Sequence, residues 1–157
     1  MSNADLLKSS LSEMAARIRA RDISPVELTD AALAKAEHLQ PTLQSFITLL
    51  PEQAREQAKK REEAIANGQY LGPLDGIPIG IKDNITTAGI RTTIGSKVFD
   101  KHVPDEDAFV VQRCKEAGAI ILGKENMHEW ACAASRPPFR FWPRATSNTS
   151  TACPWSR

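Results

Sequence analysis

The sequence has no adjacent glycines, no glycine after Gly123 and no acidic residue after Glu129. Its eight glycines are all isolated, so no glycine-rich loop is present to bring backbone close to a phosphate or an oxyanion. Paired cysteines are missing as well. Cys114, Cys132 and Cys153 are odd in number and lack zinc-like spacing, which argues against a disulfide framework and for free thiols in a reducing compartment. No apolar run approaches membrane-spanning length, and Asp5, Lys8, Glu13 and Arg17 interrupt the N-terminus, so a soluble cytoplasmic protein is expected. Neither sign of charge dominates: the net charge is +1, with 20 basic and 19 acidic residues, which gives no electrostatic reason to expect direct binding of nucleic acid or a membrane surface. His38, His102 and His128 have no partners at metal-ligand spacing and read as structural or solvated, so no metal is expected.

What is present suffices for a folded core: 157 residues, 41% of them hydrophobic. Ser10 or Ser12 can cap a helix whose Leu11, Met14, Ala15 and Ile18 share a face. Ser24-Pro25-Val26-Glu27 is a stronger start, with an N-cap hydroxyl, a proline at the first helical position and a glutamate at N3. Leu28, Ala32, Leu33, Ala36 and Leu39 continue the helical stripe, and Pro41 is expected just beyond its end. Residues 45–50 read as a short strand. Residues 52–67, rich in Ala, Glu, Lys and Arg, read as a solvated helix closed by Gly68.

Beyond Gly72 the character changes. A turn-rich entry leads into Ile77-Pro78-Ile79-Gly80-Ile81, an apolar run that ends at Lys82-Asp83-Asn84. Pro104-Asp105-Glu106-Asp107 predicts an acidic helix start, with Phe109, Val110, Val111 and Cys114 as its apolar face and Gly118 as its end. Ala119 to Gly123 is a second buried strand. Strand, excursion, helix and strand follow α/β logic, with parallel pairing expected. Lys82 then sits at the carboxyl end of a buried strand, where open α/β sheets place their ligands. Desolvation there would favour the neutral amine and make it a base. The plainer alternative is a surface lysine that ends a strand and pairs with Asp83.

Three ordered blocks carry a resemblance. Gly72 to Ile85 (GPLDGIPIGIKDNI), Gly89 to Phe99 (GIRTTIGSKVF) and Pro104 to Ala131 (PDEDAFVVQRCKEAGAIILGKENMHEWA) resemble, in order and spacing, the amidase signature family. The resemblance implies N-terminal helices followed by the start of that family's α/β core with a mixed sheet. It also implies a Ser-cisSer-Lys amidohydrolase that acts on a small carboxylic amide without metal or organic cofactor. An activated serine attacks the carbonyl, and backbone amides hold the oxyanion. Carried onto this chain, Lys82 is the catalytic lysine, and Asp83 and Asn84 position it and its loop.

The family's two serines lie in a glycine- and serine-rich segment that has no counterpart here. Ser135, Ser147, Ser150 and Ser156 have no glycine neighbours. From Ala133 onward come four arginines, four prolines and two tryptophans, without periodicity. Read one nucleotide out of frame, the codons of Pro138 to Ala145 permit His-Phe-Gly-Phe-Gly-Pro-Ala-Arg, which resembles the family's continuation. The expected division is therefore 1–132 as the N-terminal part of an amidase signature domain and 133–157 as a frameshifted tail.

Three functions follow from these readings. The first is an amidase fragment, inactive without its serines. The second is a fragment of the glutamine-hydrolysing A subunit of a tRNA-dependent amidotransferase, which would have partner subunits. The third is a non-catalytic truncated product. Asn126-Met127-His128-Glu129-Trp130 leans toward a stand-alone amidase, because the amidotransferase protein is expected to carry aspartate and phenylalanine around that glutamate.

Overall fold

A computed structural model describes residues 6–131. Among these, four α-helices surround a three-stranded mixed sheet. The tail segment and its four serines lie outside the described residues.

Helix α1 (Leu11–Ala20) and helix α2 (Pro25–Leu43) each begin with a reciprocal capping box, Ser10 with Glu13 and Ser24 with Glu27. Ser10, rather than Ser12, is the cap of α1. Ala15 and Ile18 bury on the predicted face of α1, while Leu11 stays 44% exposed. Helix α2 runs past Pro41, which the sequence pattern places outside it. The proline falls in the last turn on an exposed face, where one carbonyl freed of its helical N–H partner can meet water. Gln44, in the left-handed region at φ 48°, then ends the helix, and the Gln40 side chain brackets both N and O of Phe46 to launch the next strand.

Strand β1 (Phe46–Leu49) is followed by α3 (Pro51–Ala66), and then by β2 (Pro78–Lys82), α4 (Phe109–Glu116) and β3 (Ile120–Glu125). The sheet order is β1-β3-β2, with β1 antiparallel and β2 parallel to β3. Helices α2 and α3 cover one sheet face through Leu33, Ala54, Ala58, Ile120 and Leu122. On the other face Val111 of α4 packs on Ile81 and Ile121. Gly123 permits a close approach of β1, since a Cβ there would overlap the Thr48 carbonyl. In the turn before β2, Asp75 is fully buried and held by the Arg61 guanidinium through two bonds of 2.6 and 2.8 Å.

The acidic segment 104–107 is not the start of α4, which begins only at Phe109. Asp107 instead accepts from the Ala88 amide at 2.7 Å and pairs with Lys115. A tertiary partner outcompetes the local helix end for that carboxylate. Of the predicted apolar face, Val111 is buried and Cys114 half-buried, whereas Phe109 is 76% exposed.

Candidate active site

Strand β2 delivers Lys82 to its carboxyl end. Register pairs Ile81 with Lys124 and Lys82 with Glu125, so Ile81 and Lys124 share one face and Lys82 and Glu125 the other. Ile81 is buried and Lys82 exposed, as alternation requires. Gly80 lies on the Lys82 side, and the Glu125 side chain folds over it, in the space a Cβ would occupy. The strand passes into a loop without losing its ladder: the Asp83 amide donates to the Glu125 carbonyl at 3.1 Å, and the Ile85 amide turns back to the Lys82 carbonyl at 3.0 Å.

Asp83 does not pair with Lys82. It is fully buried, and its Oδ2 accepts from the Thr93 amide (2.9 Å), the Thr93 hydroxyl (2.5 Å) and the Gly95 amide (3.4 Å). Oδ1 has no hydrogen-bond partner among the described residues. Of the plainer reading of Lys82, the pairing with Asp83 is therefore corrected, whereas its surface placement holds. The desolvation expected of Lys82 as a base is also corrected, because the side chain is exposed. Three local donors outbid a flexible ammonium for a carboxylate that the strand's alternation turns inward. Asn84, by contrast, is exposed.

Loop residues 93–96 dock on the turn after β3. Ile94 and Gly95 are both left-handed, at φ 55° and 67°, and a Cβ on Gly95 would lie 2.9 Å from the Met127 carbonyl. The Ser96 hydroxyl donates to Glu129 at 2.5 Å, the Trp130 amide donates to the Ile94 carbonyl at 3.0 Å, and Phe99 meets the Trp130 ring edge-on. A neutral β-branched residue held at positive φ is strained, and these contacts hold it.

Sequence reasoning missed Lys124. It is fully buried, and its Nζ donates to the Ile85 carbonyl (2.5 Å), the Thr92 hydroxyl (2.8 Å) and the Thr87 hydroxyl (3.2 Å). Burial pushes its ammonium down from the usual lysine value to about 8, and the charge of Asp83 opposes that shift. The available signal was a lysine continuing an apolar strand, Ile120-Ile121-Leu122-Gly123-Lys124, where a solvated residue is expected.

Lys82, Asp83, Lys124 and the loop between thus form one local unit, an exposed strand-end amine beside a loop braced by two buried charged side chains. No serine hydroxyl among the described residues hydrogen-bonds to Lys82; Ser96, in the adjacent loop, is committed to Glu129. No helix among the described residues is long and apolar enough to cross a membrane.

Comparison with known proteins agrees with the three sequence blocks. The amidase family profile matches residues 27–157. The chain is 42% identical over 134 residues to the A subunit of the glutamyl-tRNA(Gln) amidotransferase from Carboxydothermus hydrogenoformans, covering 85% of this chain and 28% of that protein. It is 46% identical over 145 residues to the corresponding protein from Methylococcus capsulatus, covering 92% and 30%. The solved peptide amidase from Stenotrophomonas maltophilia superposes with a TM-score of 0.73 at 37% identity, covering 78% of this chain and 25% of that one. The chain therefore spans less than a third of the length of the curated relatives it matches. On the profile match, the identities and the shared fold, this chain belongs to the amidase signature family.

Proposed function

We propose that this chain supplies the lysine-bearing part of an amidase that hydrolyses a carboxylic amide to acid and ammonia, with Lys82 as its base. The observation that carries the reading is the placement of Lys82: an exposed amine at the carboxyl end of a parallel strand, on a loop braced from beneath by two buried charges. Strand alternation sets Lys82 on the face opposite Asp83, whose carboxylate is held by Thr93, so the amine would act on a hydroxyl supplied from outside the described residues. In its neutral form it would withdraw a proton through a relay serine from the serine that attacks the carbonyl. The glycine- and serine-rich segment that would carry both serines has no counterpart in the sequence, so this chain alone is expected to release no ammonia.

The relatives named as amidotransferase subunits support glutamine as the amide and further subunits as partners. The peptide amidase likeness and the His128-Glu129-Trp130 turn support a free-standing enzyme. Both share the chemistry assigned to Lys82. A chimera tests it: residues 1–131 replace the matching segment of the Methylococcus protein, and ammonia release is measured from glutamine and from a peptide amide. An active chimera that loses at least about 10³-fold in kcat/KM on Lys82→Ala supports the reading. Retained activity in Lys82→Ala would refute it, and the preferred amide separates the two forms of the proposal.

A further inference from the structure

We propose that Lys124 is a positioning residue for Lys82, which it sets in place by tying both limbs of the 85–92 loop to β3. The inference rests in part on the catalytic reading of Lys82.

The geometry begins with an irregularity. Ile79 pairs with Ile121 but Gly80 pairs with Gly123, so Leu122 is an extra residue in β3. Such a bulge reverses the alternation beyond it and re-aims the side chains that follow. Ile120 and Leu122 pack with α2 and α3, whereas Lys124 pairs with Ile81 on the α4 side, beneath the loop that leaves Lys82. Without the bulge, Lys124 would fall on the face of Ile120 and Leu122.

Once inside, Lys124 is unlike a core residue. A methionine would fill similar space without desolvating a charge. The ammonium instead spends its three N–H donors on the outgoing limb, at Ile85 and Thr87, and on the returning limb, at Thr92. Those acceptors are neutral. Asp83, the charged group that acts on Lys124, is occupied with Thr93 and Gly95 and braces the next stretch of the same loop. Asp107, which reaches the loop at Ala88, is paired with Lys115. Two buried charges thus fasten residues 85–95 from one side of the sheet and leave Lys82 free on the other. A residue kept only for packing would not need three donors directed at one loop.

Hydrogen exchange on the intact chain tests the proposal. In Lys124→Met, amides of 85–96 should lose protection by about tenfold or more while those of Ile120 to Leu122 keep theirs, because the strand loses no partner. Thr92→Val, which removes one acceptor and leaves β3 untouched, should loosen the same loop to a smaller degree. The Thr87 and Thr92 methyl resonances should titrate together near pH 8 in the wild type and be flat in Lys124→Met. In the Methylococcus chimera, Lys124→Met should lower kcat about tenfold or more with KM within about twofold. Unchanged loop protection, or an equal loss throughout the domain including failure of Lys124→Met to fold, would overturn the proposal. A chimera indifferent to Lys82→Ala alongside a loosened loop would instead remove the catalytic reading and leave Lys124 as the anchor of the loop alone.

Discussion

Lys82 and Lys124 stand on neighbouring parallel strands, one register step apart and on opposite faces of the sheet. One ammonium is exposed and the other fully buried, and the loop that leaves the first is tied down by the second. The same residue type serves as exposed reactive group and as internal fastener, because a single bulge separates the faces on which the two side chains emerge.

Stability should depend on pH through Lys124. Its folded-state value, about 8, lies below that of an unfolded lysine, so the cation favours the unfolded chain. This group's contribution is fullest above about pH 10.4, declines as pH falls toward 8 and is level below it, with a span of roughly 3 kcal/mol at most. Urea denaturation of wild type and Lys124→Met across pH 7.5 to 10 measures the difference. The wild type should gain relative to the variant as pH rises.

Asp83→Ala should destabilise the fold by about 2–3 kcal/mol, since it strips a buried charged acceptor from the Thr93 amide, the Thr93 hydroxyl and the Gly95 amide. Chemical denaturation with an unchanged m-value would register it.

Removing Arg61 leaves Asp75 as a fully buried carboxylate with one remaining donor, the Leu71 amide at 2.8 Å. Arg61→Leu should therefore cost about 3 kcal/mol or more, well beyond an exposed pair such as Lys60 with Glu56. Comparing Arg61→Leu with Lys60→Ala in one denaturation series checks the contrast.

Gly95 and Gly68 both have positive φ, at 67° and 82°. A methyl at Gly68 meets nothing within 4 Å, so Gly68→Ala should cost about 1 kcal/mol, the backbone strain alone. A methyl at Gly95 runs into the Met127 carbonyl and the Glu129 backbone, so Gly95→Ala should cost about 2–3 kcal/mol and release the 93–96 loop. Thermal melts of the two variants give the comparison.

These residues also mark where the sequence was legible. Local rules found the capping box of Ser24 with Glu27, Ser10 as one of two candidate caps, the strand ending at Lys82 and the Gly118 stop, because each depends on neighbours within a few residues. They failed where a distant partner decided the outcome. Asp107 belongs to the Ala88 amide and Lys115 rather than to a helix end, and α2 absorbs Pro41 on an exposed face. Although the desolvation expected of Lys82 is absent because its side chain is exposed, the placement of Lys82 at the end of its strand could be read from the apolar run. That of Lys124 could not, since the bulge that turns it inward exists only in the pairing with β2.

Replacing Lys82 by arginine in the active chimera separates a base from a mere positive charge. The side chain is exposed, so Lys82→Arg should leave stability within about 0.5 kcal/mol. An arginine stays protonated and cannot accept the proton. If Lys82 is the base, ammonia release by Lys82→Arg falls as far as by Lys82→Ala at every pH up to 10. Recovery of a large part of the wild-type rate by Lys82→Arg would contradict that role.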